Sequence, residues 1–302
     1  MEKRRRIINS NLNKTLSSLG CNILKNELLS KHCSFKIGGY ADFFIEIPNK
    51  KALSIFLSNV SKDNYLLLGS GTNVLFSDDG YKGIVVSLID KFKKISVLGE
   101  EIVSGSGALL SDVLNIALKN NLLGFEFTAG IPGTVGGAIY GNAGSKNNWV
   151  SKAIKSVEIY KNSKKEILSI YEIDFSYRRS GLENCIITNV NFNLKKNTKN
   201  DNLNNIFLKN IRRRIKTQPL NMYNAGCIFK NPDGFSAGKL IEESNLKGIN
   251  VGAAQISNIH GNFIINNGGA SSKDVLTLID IIREKVKEKF NIILETEIKI
   301  VK

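Results

Sequence analysis

The chain has 302 residues, enough for two domains or one domain with a subdomain, and its 42% apolar and 23% charged residues describe a globular protein with a sizeable core. Its formal charge of +15 accompanies a general enrichment in Lys, Asn and Ile, with no helix-turn-helix, RNA-recognition or zinc-finger pattern. The charge therefore argues for a solvated surface or attraction of phosphate-bearing small ligands, and against nucleic-acid binding. The basic start "MEKRRRIINSNLNK" leads into no apolar stretch, and no run of about 18 apolar residues occurs, so a cytoplasmic protein without membrane insertion is expected.

In chain order, "ADFFIEIP" (41–48) predicts a strand, "KKALSIFLSNV" (50–60) a helix, and "YLLLGSGTNVLFS" (65–77) a strand that enters a glycine turn and leaves it. "GIVVSL" and "KKISVLGEEIVSGSG" predict strands with a turn at Gly99. "GALLSDVLNIALKNNL" (107–122) has apolar residues at helical spacing, with Ser111 and Asp112 on the polar face. "VEIYKNSKKEILSI" (157–170) reads as a hairpin closed by Asn-Ser-Lys-Lys. The polar stretch "KNTKNDNLN" (196–204) marks a seam. Beyond it come a basic helix ("IFLKNIRRRIKTQP"), a helix in "AGKLIEESNLKG", strands around "AAQIS" and "NFIIN", and a long helix opened by a Ser271/Asp274 capping box. "ILETEIKIV" (293–301) alternates as a closing strand, and no internal repeat is present.

Two glycine-rich segments stand out, "LGSGTNVLFSD" (68–78) and "AGIPGTVGGAIYGNAG" (129–144). Glycines let backbone approach a ligand closely and present bare N–H groups, the means by which a pyrophosphate is cradled. One such segment is as readily a run of tight turns; two point to a dinucleotide. Neither is a Rossmann fingerprint nor a P-loop, so a dinucleotide site of another design is needed.

A third segment, "YNAGCIFKNP" (223–232), carries Cys227. The four cysteines, Cys21, Cys33, Cys185 and Cys227, form no C-x-x-C pair, and His32 and His260 are the only imidazoles, so no metal site is expected and a disulfide is disfavoured. A nucleophile, a proton donor and an inert small side chain stay open for Cys227.

The blocks "SFKIGGYADF", "LGSGTNVLFSDDGYKGIVV", "AGIPGTVGGAIYGNAG", "SYRRS", "NAGCIFKNP", "AGKLIEESNLKG", "AAQIS…NFIIN" and "LETEIKIV" occur in this order from about residue 20 onward. In order and spacing they resemble the UDP-N-acetylenolpyruvoylglucosamine reductase family, flavoenzymes of peptidoglycan precursor synthesis. The short connection before "NAGCIFKNP" is similar to the shorter of the family's two types, which lacks the substrate-closing tyrosine loop. The resemblance implies an α+β fold of the FAD-binding vanillyl-alcohol-oxidase (PCMH) type. It places an FAD-binding domain at 20–198, in two subdomains meeting near 90–100, and a substrate-binding α+β domain at 203–302.

The resemblance further implies non-covalent FAD, held by Gly69, Ser70, Gly71, Thr72 and Asn73 and by Ala129, Gly130, Gly133, Gly137 and Asn142, with His32 an ordinary polar residue. NADPH and UDP-N-acetylenolpyruvoylglucosamine are the implied partners, and a monomer is expected. Reduction of an enolpyruvyl ether needs a hydride, a proton and a stabiliser of enolate charge. An Arg in "SYRRS" has the forked, permanent charge that suits a carboxylate and enolate; the resemblance puts the functional one directly after the Tyr, at Arg178, and leaves Arg179 to a surface strand end. Alternation puts Glu295, Glu297 and Lys299 on one face and leaves Glu295 and Glu297 equal; the resemblance selects Glu297 for the enol. Cys227 occupies the position of the family's proton-donating Ser, and a thiol, with an ordinary pKa of about 8.5, can do that job. Tyr177, Lys230 and Asn231 are the implied substrate contacts.

Overall fold

The computed structural model describes residues 8–145, 148–198 and 202–302. Part of the basic start (1–7) and the centre of the polar seam (199–201) lie outside the described residues. The chain divides into two compact units. The first draws on Met1–Lys25, Asp42–Gly69 and Gly83–Ile211, the second on Asn26–Ala41, Ser70–Lys82 and Arg212–Lys302.

The first unit is built on a five-stranded antiparallel sheet in the order Lys164–Ser169, Ile154–Lys161, Ile186–Asn193, Glu101–Gly105, Ile95–Leu98. Gly99, at φ 62, closes its last hairpin where the sequence placed a turn. The first hairpin turns on Asn162 and Ser163 alone, at φ 48 and 61, and Lys164 and Lys165 pair in the strand. The four-residue polar turn expected there is thus a two-residue one, because paired positive φ values match the strand twist. Helix Leu110–Lys119 buries Leu110, Val113, Leu114 and Ala117, the i, i+3, i+4, i+7 stripe read from the sequence. They join Phe125, Ala129, Val135, Ile139, Val157 and Phe192 in one core. A second core packs helices Ser10–Ser18 and Lys50–Asn59, through Leu16, Leu53 and Phe56, against Ile45, Ile84 and Val86. Both helices start at Asn caps, Asn9 and Asn49, whose side chains accept from Leu12 N–H and Ala52 N–H.

The second unit has a four-stranded antiparallel sheet ordered Tyr223–Asn224, Ile264–Asn266, Ala254–Ile256, Asn250–Val251. Its helices are Ala237–Glu243 and Ser272–Phe290; the latter forms the Ser271/Asp274 capping box in both directions. A parallel pair joins Lys299–Val301 to Val74–Phe76. The expected closing strand over 293–301 is therefore only three residues long as a ladder. Upstream of it, Thr296 bridges Phe229 alone, so the alternation continues without a full partner strand.

Candidate functional site

In the first unit the two glycine segments meet. A Cβ on Gly69 would lie 2.5 Å from Thr134 Oγ1, closer than real Cβ atoms come, so any larger residue here would have to displace the Thr134 hydroxyl. Thr134 Oγ1 in turn accepts from Gly137 N–H at the start of the short helix Val135–Tyr140. The second segment is pinned further by Leu110 N–H to the Gly133 carbonyl (3.0 Å) and Gly136 N–H to the Ser106 carbonyl (2.8 Å). Gly130 and Gly133 have φ of 75 and 124, values that exclude most other residues. The result is a fixed, side-chain-poor crossing of two backbones with Gly69 and Gly137 exposed and Gly130 and Gly133 half-buried, which suits a dinucleotide cofactor. Ala129 is buried in the core, so its contribution to such a group would be through the backbone.

Asn142 is buried and left-handed (φ 40). Its Nδ2 donates to the Ser176 carbonyl (3.0 Å) and its Oδ1 accepts from Ser151 N–H (3.4 Å). The sequence reading gave Asn142 to the cofactor; in the structure its side chain ties the glycine segment to the turn bearing Arg178. That turn is tight. Ser176 N–H donates to the Arg179 carbonyl (3.0 Å) and Arg179 N–H to the Ser176 carbonyl (3.2 Å), leaving Tyr177 and Arg178 at the corners. Ser180, fully buried, donates from Oγ to the Tyr140 carbonyl (2.9 Å), a second tether to the glycine segment. Arg178 itself has φ 59, a conformation costing a non-glycine residue about 1–2 kcal/mol. Its guanidinium carbon stands 5.6 Å from the Tyr177 ring and 5.9 Å from the Trp149 ring. Arg179, by contrast, is exposed and faces Glu183 at 3.7 Å, the surface role expected for it.

In the second unit, Ser70–Asn73, the Cys227 loop and the Glu297 segment converge. Lys230 N–H donates to the Glu295 carbonyl and Glu297 N–H to the Ile228 carbonyl, both at 2.8 Å, on either side of the Phe229–Thr296 bridge. Glu297 is thereby aligned with the residue that follows Cys227; both Cys227 and Glu297 are half-buried. Asn73 locks the same place: its Nδ2 donates to the Glu297 carbonyl (3.3 Å), and its own carbonyl accepts from Lys299 N–H (3.2 Å). Gly226, at φ 77, leads into Cys227 and would bring a Cβ to 3.9 Å from the Thr72 carbonyl. Gly71, at φ 63, is pressed so closely on His32 that a Cβ would lie 2.2 Å from its carbonyl oxygen.

The structure separates the two glutamates that alternation left equal. Glu295 is 73% exposed and pairs with Lys230 Nζ at 2.6 Å. Lys230, expected at the substrate, is thus already matched by a carboxylate, while Asn231 Oδ1 accepts from Ala237 N–H (3.0 Å) at the start of helix Ala237–Glu243. His32 Nε2 lies 3.0 Å from Glu27 Oε1, and that hydrogen bond is the main cause of a Glu27 carboxyl held below its usual range.

All four cysteines are thiols. Burial pushes Cys21 up to about 11 and raises Cys33 and Cys185 as well, which makes those three poor acids. Among the described residues no three His, Cys, Asp or Glu side chains gather as a metal site, and no helix is long and apolar enough to cross a membrane. Sequence reading missed Trp149 and Ser180, and for Asn142 it did not foresee the tether to the Ser176 carbonyl; no local pattern announces these contacts.

Comparison with known proteins agrees with this layout. Residues 53–166 match the family model described as FAD binding domain, and 218–301 match that of the UDP-N-acetylenolpyruvoylglucosamine reductase C-terminal domain. The chain is 44% identical over 298 residues to the UDP-N-acetylenolpyruvoylglucosamine reductase of Clostridium novyi (strain NT), covering 96% of each chain. It is 41% identical over 285 residues to that of Clostridium botulinum (strain Okra / Type B1), covering 93% of this chain and 92% of the relative. The crystal structure of the Thermus caldophilus enzyme superposes with a TM-score of 0.82 at 34% identity, over 93% of this chain and 99% of that one. The fold is the expected α+β, FAD-binding type, and the chain belongs to the UDP-N-acetylenolpyruvoylglucosamine reductase family.

Proposed function

We propose that this protein is the FAD-dependent oxidoreductase that reduces UDP-N-acetylenolpyruvoylglucosamine to UDP-N-acetylmuramate with NADPH, in the cytoplasm and as a monomer. The observation that supports this most directly is the convergence of Ser70–Asn73, the Cys227 loop and Glu297 through paired backbones, in a chain of this family. Residues 20–198 serve the cofactor and 203–302 the substrate. Gly69, Ser70, Gly71, Thr72 and Asn73, with Ala129, Gly130, Gly133, Gly137 and Asn142, would hold FAD without a covalent link, and the Gly69–Thr134 crossing fits a group that needs bare backbone. FAD, when bound, supplies the hydride that passes from NADPH to one alkene carbon.

The chain's own side chains do the rest. Arg178 grips the substrate carboxylate and spreads the negative charge that grows as hydride arrives, its permanent charge making it a fixed counterion. Glu297 stabilises the enol. Cys227 gives the Sγ–H proton to the second alkene carbon, and the thiolate left behind is reprotonated from solvent. Tyr177, Lys230 and Asn231 contact the nucleotide sugar, Lys230 by exchanging Glu295 for the diphosphate.

The test is anaerobic: NADPH should bleach the yellow protein, and the enolpyruvyl nucleotide sugar should restore the oxidised spectrum. A colourless protein that takes up no FAD would sink the enzyme reading, and a reduced flavin indifferent to the sugar would sink the substrate.

A further inference from the structure

We propose that Trp149, the single tryptophan of the chain, is a positioning residue that holds the Arg178 guanidinium in the orientation that receives the substrate carboxylate. This rests on the role given to Arg178 above. Arg178 carries a long side chain with many rotamers, and a fork that must meet a planar carboxylate gains most when its orientation is set beforehand. Two aromatic rings set it. Trp149 and Tyr177 stand edge to face, centroids 5.7 Å apart and planes at 78°, and the guanidinium carbon lies within 6 Å of both. Two nearly perpendicular walls make a corner, which restricts a planar cation more than one flat stack does.

The indole is itself held with little freedom. Trp149 pairs with Gly144 in the short hairpin Gly144–Ser145 and Asn148–Trp149. A Cβ on Gly144 would fall 2.2 Å from indole Cε3 and 2.3 Å from the Asn148 carbonyl oxygen, so the last glycine of the second segment is there to seat this ring. The glycine segment thus reaches the Arg178 turn three ways: through Asn142 to the Ser176 carbonyl, through the Tyr140 carbonyl to Ser180, and through Gly144 and Trp149 to the guanidinium itself. The first two fix the backbone of the turn, and the third reaches its charged end. A tryptophan kept merely to fill space would be replaceable by any apolar side chain of similar bulk; one that positions a cation needs its π face.

The experiment compares Trp149→Phe, Trp149→Leu and Trp149→Ala as FAD-loaded enzymes, timing the two half-reactions separately. Reduction by NADPH should stay within about twofold of wild type in all three. Reoxidation by the enolpyruvyl nucleotide sugar should fall about tenfold in the Leu and Ala variants and stay within about threefold in Phe. In an Arg178→Lys background the Leu substitution should add almost nothing. A second readout is the emission of the lone indole, which should shift in Arg178→Ala and on addition of the sugar to oxidised wild-type enzyme. A Leu variant that reoxidises as fast as wild type, or a Phe variant as slow as Leu, overturns the proposal, and Leu decides the matter even where Ala fails to fold. If wild-type reduced enzyme ignores the sugar, the substrate reading has failed rather than the role of Trp149.

Discussion

Replacing Arg178 should disturb stability far less than turnover, and the size of the first effect can be worked from its backbone. At φ 59 an L-residue carries about 1–2 kcal/mol of strain that glycine does not. Glycine returns roughly 0.4–1 kcal/mol of this through its greater freedom in the unfolded chain. Arg178→Gly and Arg178→Ala lose the same two ring contacts, each worth about 0.5–1 kcal/mol. The difference between them is therefore backbone alone, about 1 kcal/mol in favour of glycine, or roughly 2 °C in melting temperature for a chain this long. Arg178→Gly should sit within about 1 kcal/mol of wild type, Arg178→Ala lower still. Denaturant midpoints of the FAD-loaded variants measure the order. Both should accept electrons from NADPH yet reoxidise with the enolpyruvyl sugar about a thousandfold more slowly, a loss of about 4 kcal/mol in transition-state stabilisation. An alanine variant as stable as the glycine one would refute the strain, and near-normal reoxidation in either would refute the role.

Three further outcomes are expected. Asn142→Ala should cost about 2 kcal/mol, because the Ser176 carbonyl loses one of its two donors, Ser151 N–H loses its acceptor and alanine tolerates φ 40 less well than asparagine; urea midpoints and FAD retention on a desalting column would check it. Cys227→Ser should keep much of the turnover and Cys227→Ala should lose the sugar half-reaction while retaining the NADPH one. A thiol reagent should inactivate the wild type and spare the serine variant, and mass mapping should find the label at Cys227. His260 is held below its ordinary pKa by burial and then by Lys247, and its Nδ1 accepts from Asn262 N–H. The folded state thus refuses a proton that the unfolded state binds. This stability is complete above the unfolded value of about 6.5 and is lost as pH falls below it. His260→Gln should flatten denaturation midpoints between pH 7.5 and 5.5, and an unchanged slope would rule the residue out.

Much of the first unit could be read directly because its signals are local: the stripe of helix Leu110–Lys119, the turn at Gly99 and the second glycine segment all act within a few residues. The segment 293–301 shows where such reading stops. Alternation records which side chains are buried, and Ile298 is buried as it implies, but it carries no information on whether a neighbouring strand exists. Only Thr296 and Lys299–Val301 pair, and with two different partners. The same limit hid the link from Asn73 to the Glu297 carbonyl and the seat of Trp149 against Gly144, since each joins residues that no periodicity relates. It also left Glu295 and Glu297 on one face, although Glu295 is exposed and Glu297 half-buried.

The parallel pairing of Lys299–Val301 with Val74–Phe76 bears on how the protein is made. On a ribosome, Val74–Phe76 emerges early and must wait for nearly all the remaining described chain before its partner exists. The Cys227 loop waits likewise for Glu295–Glu297. Pairing across such separation is slow, and an unpaired apolar strand is a hazard while it lasts. A chain broken off before residue 295 would keep its glycine crossing yet lack both Glu297 and the strand that stitches it in place. Stalled or clipped products should therefore behave as chaperone clients and protease substrates rather than as weak enzymes, so activity in the cell would count only finished molecules.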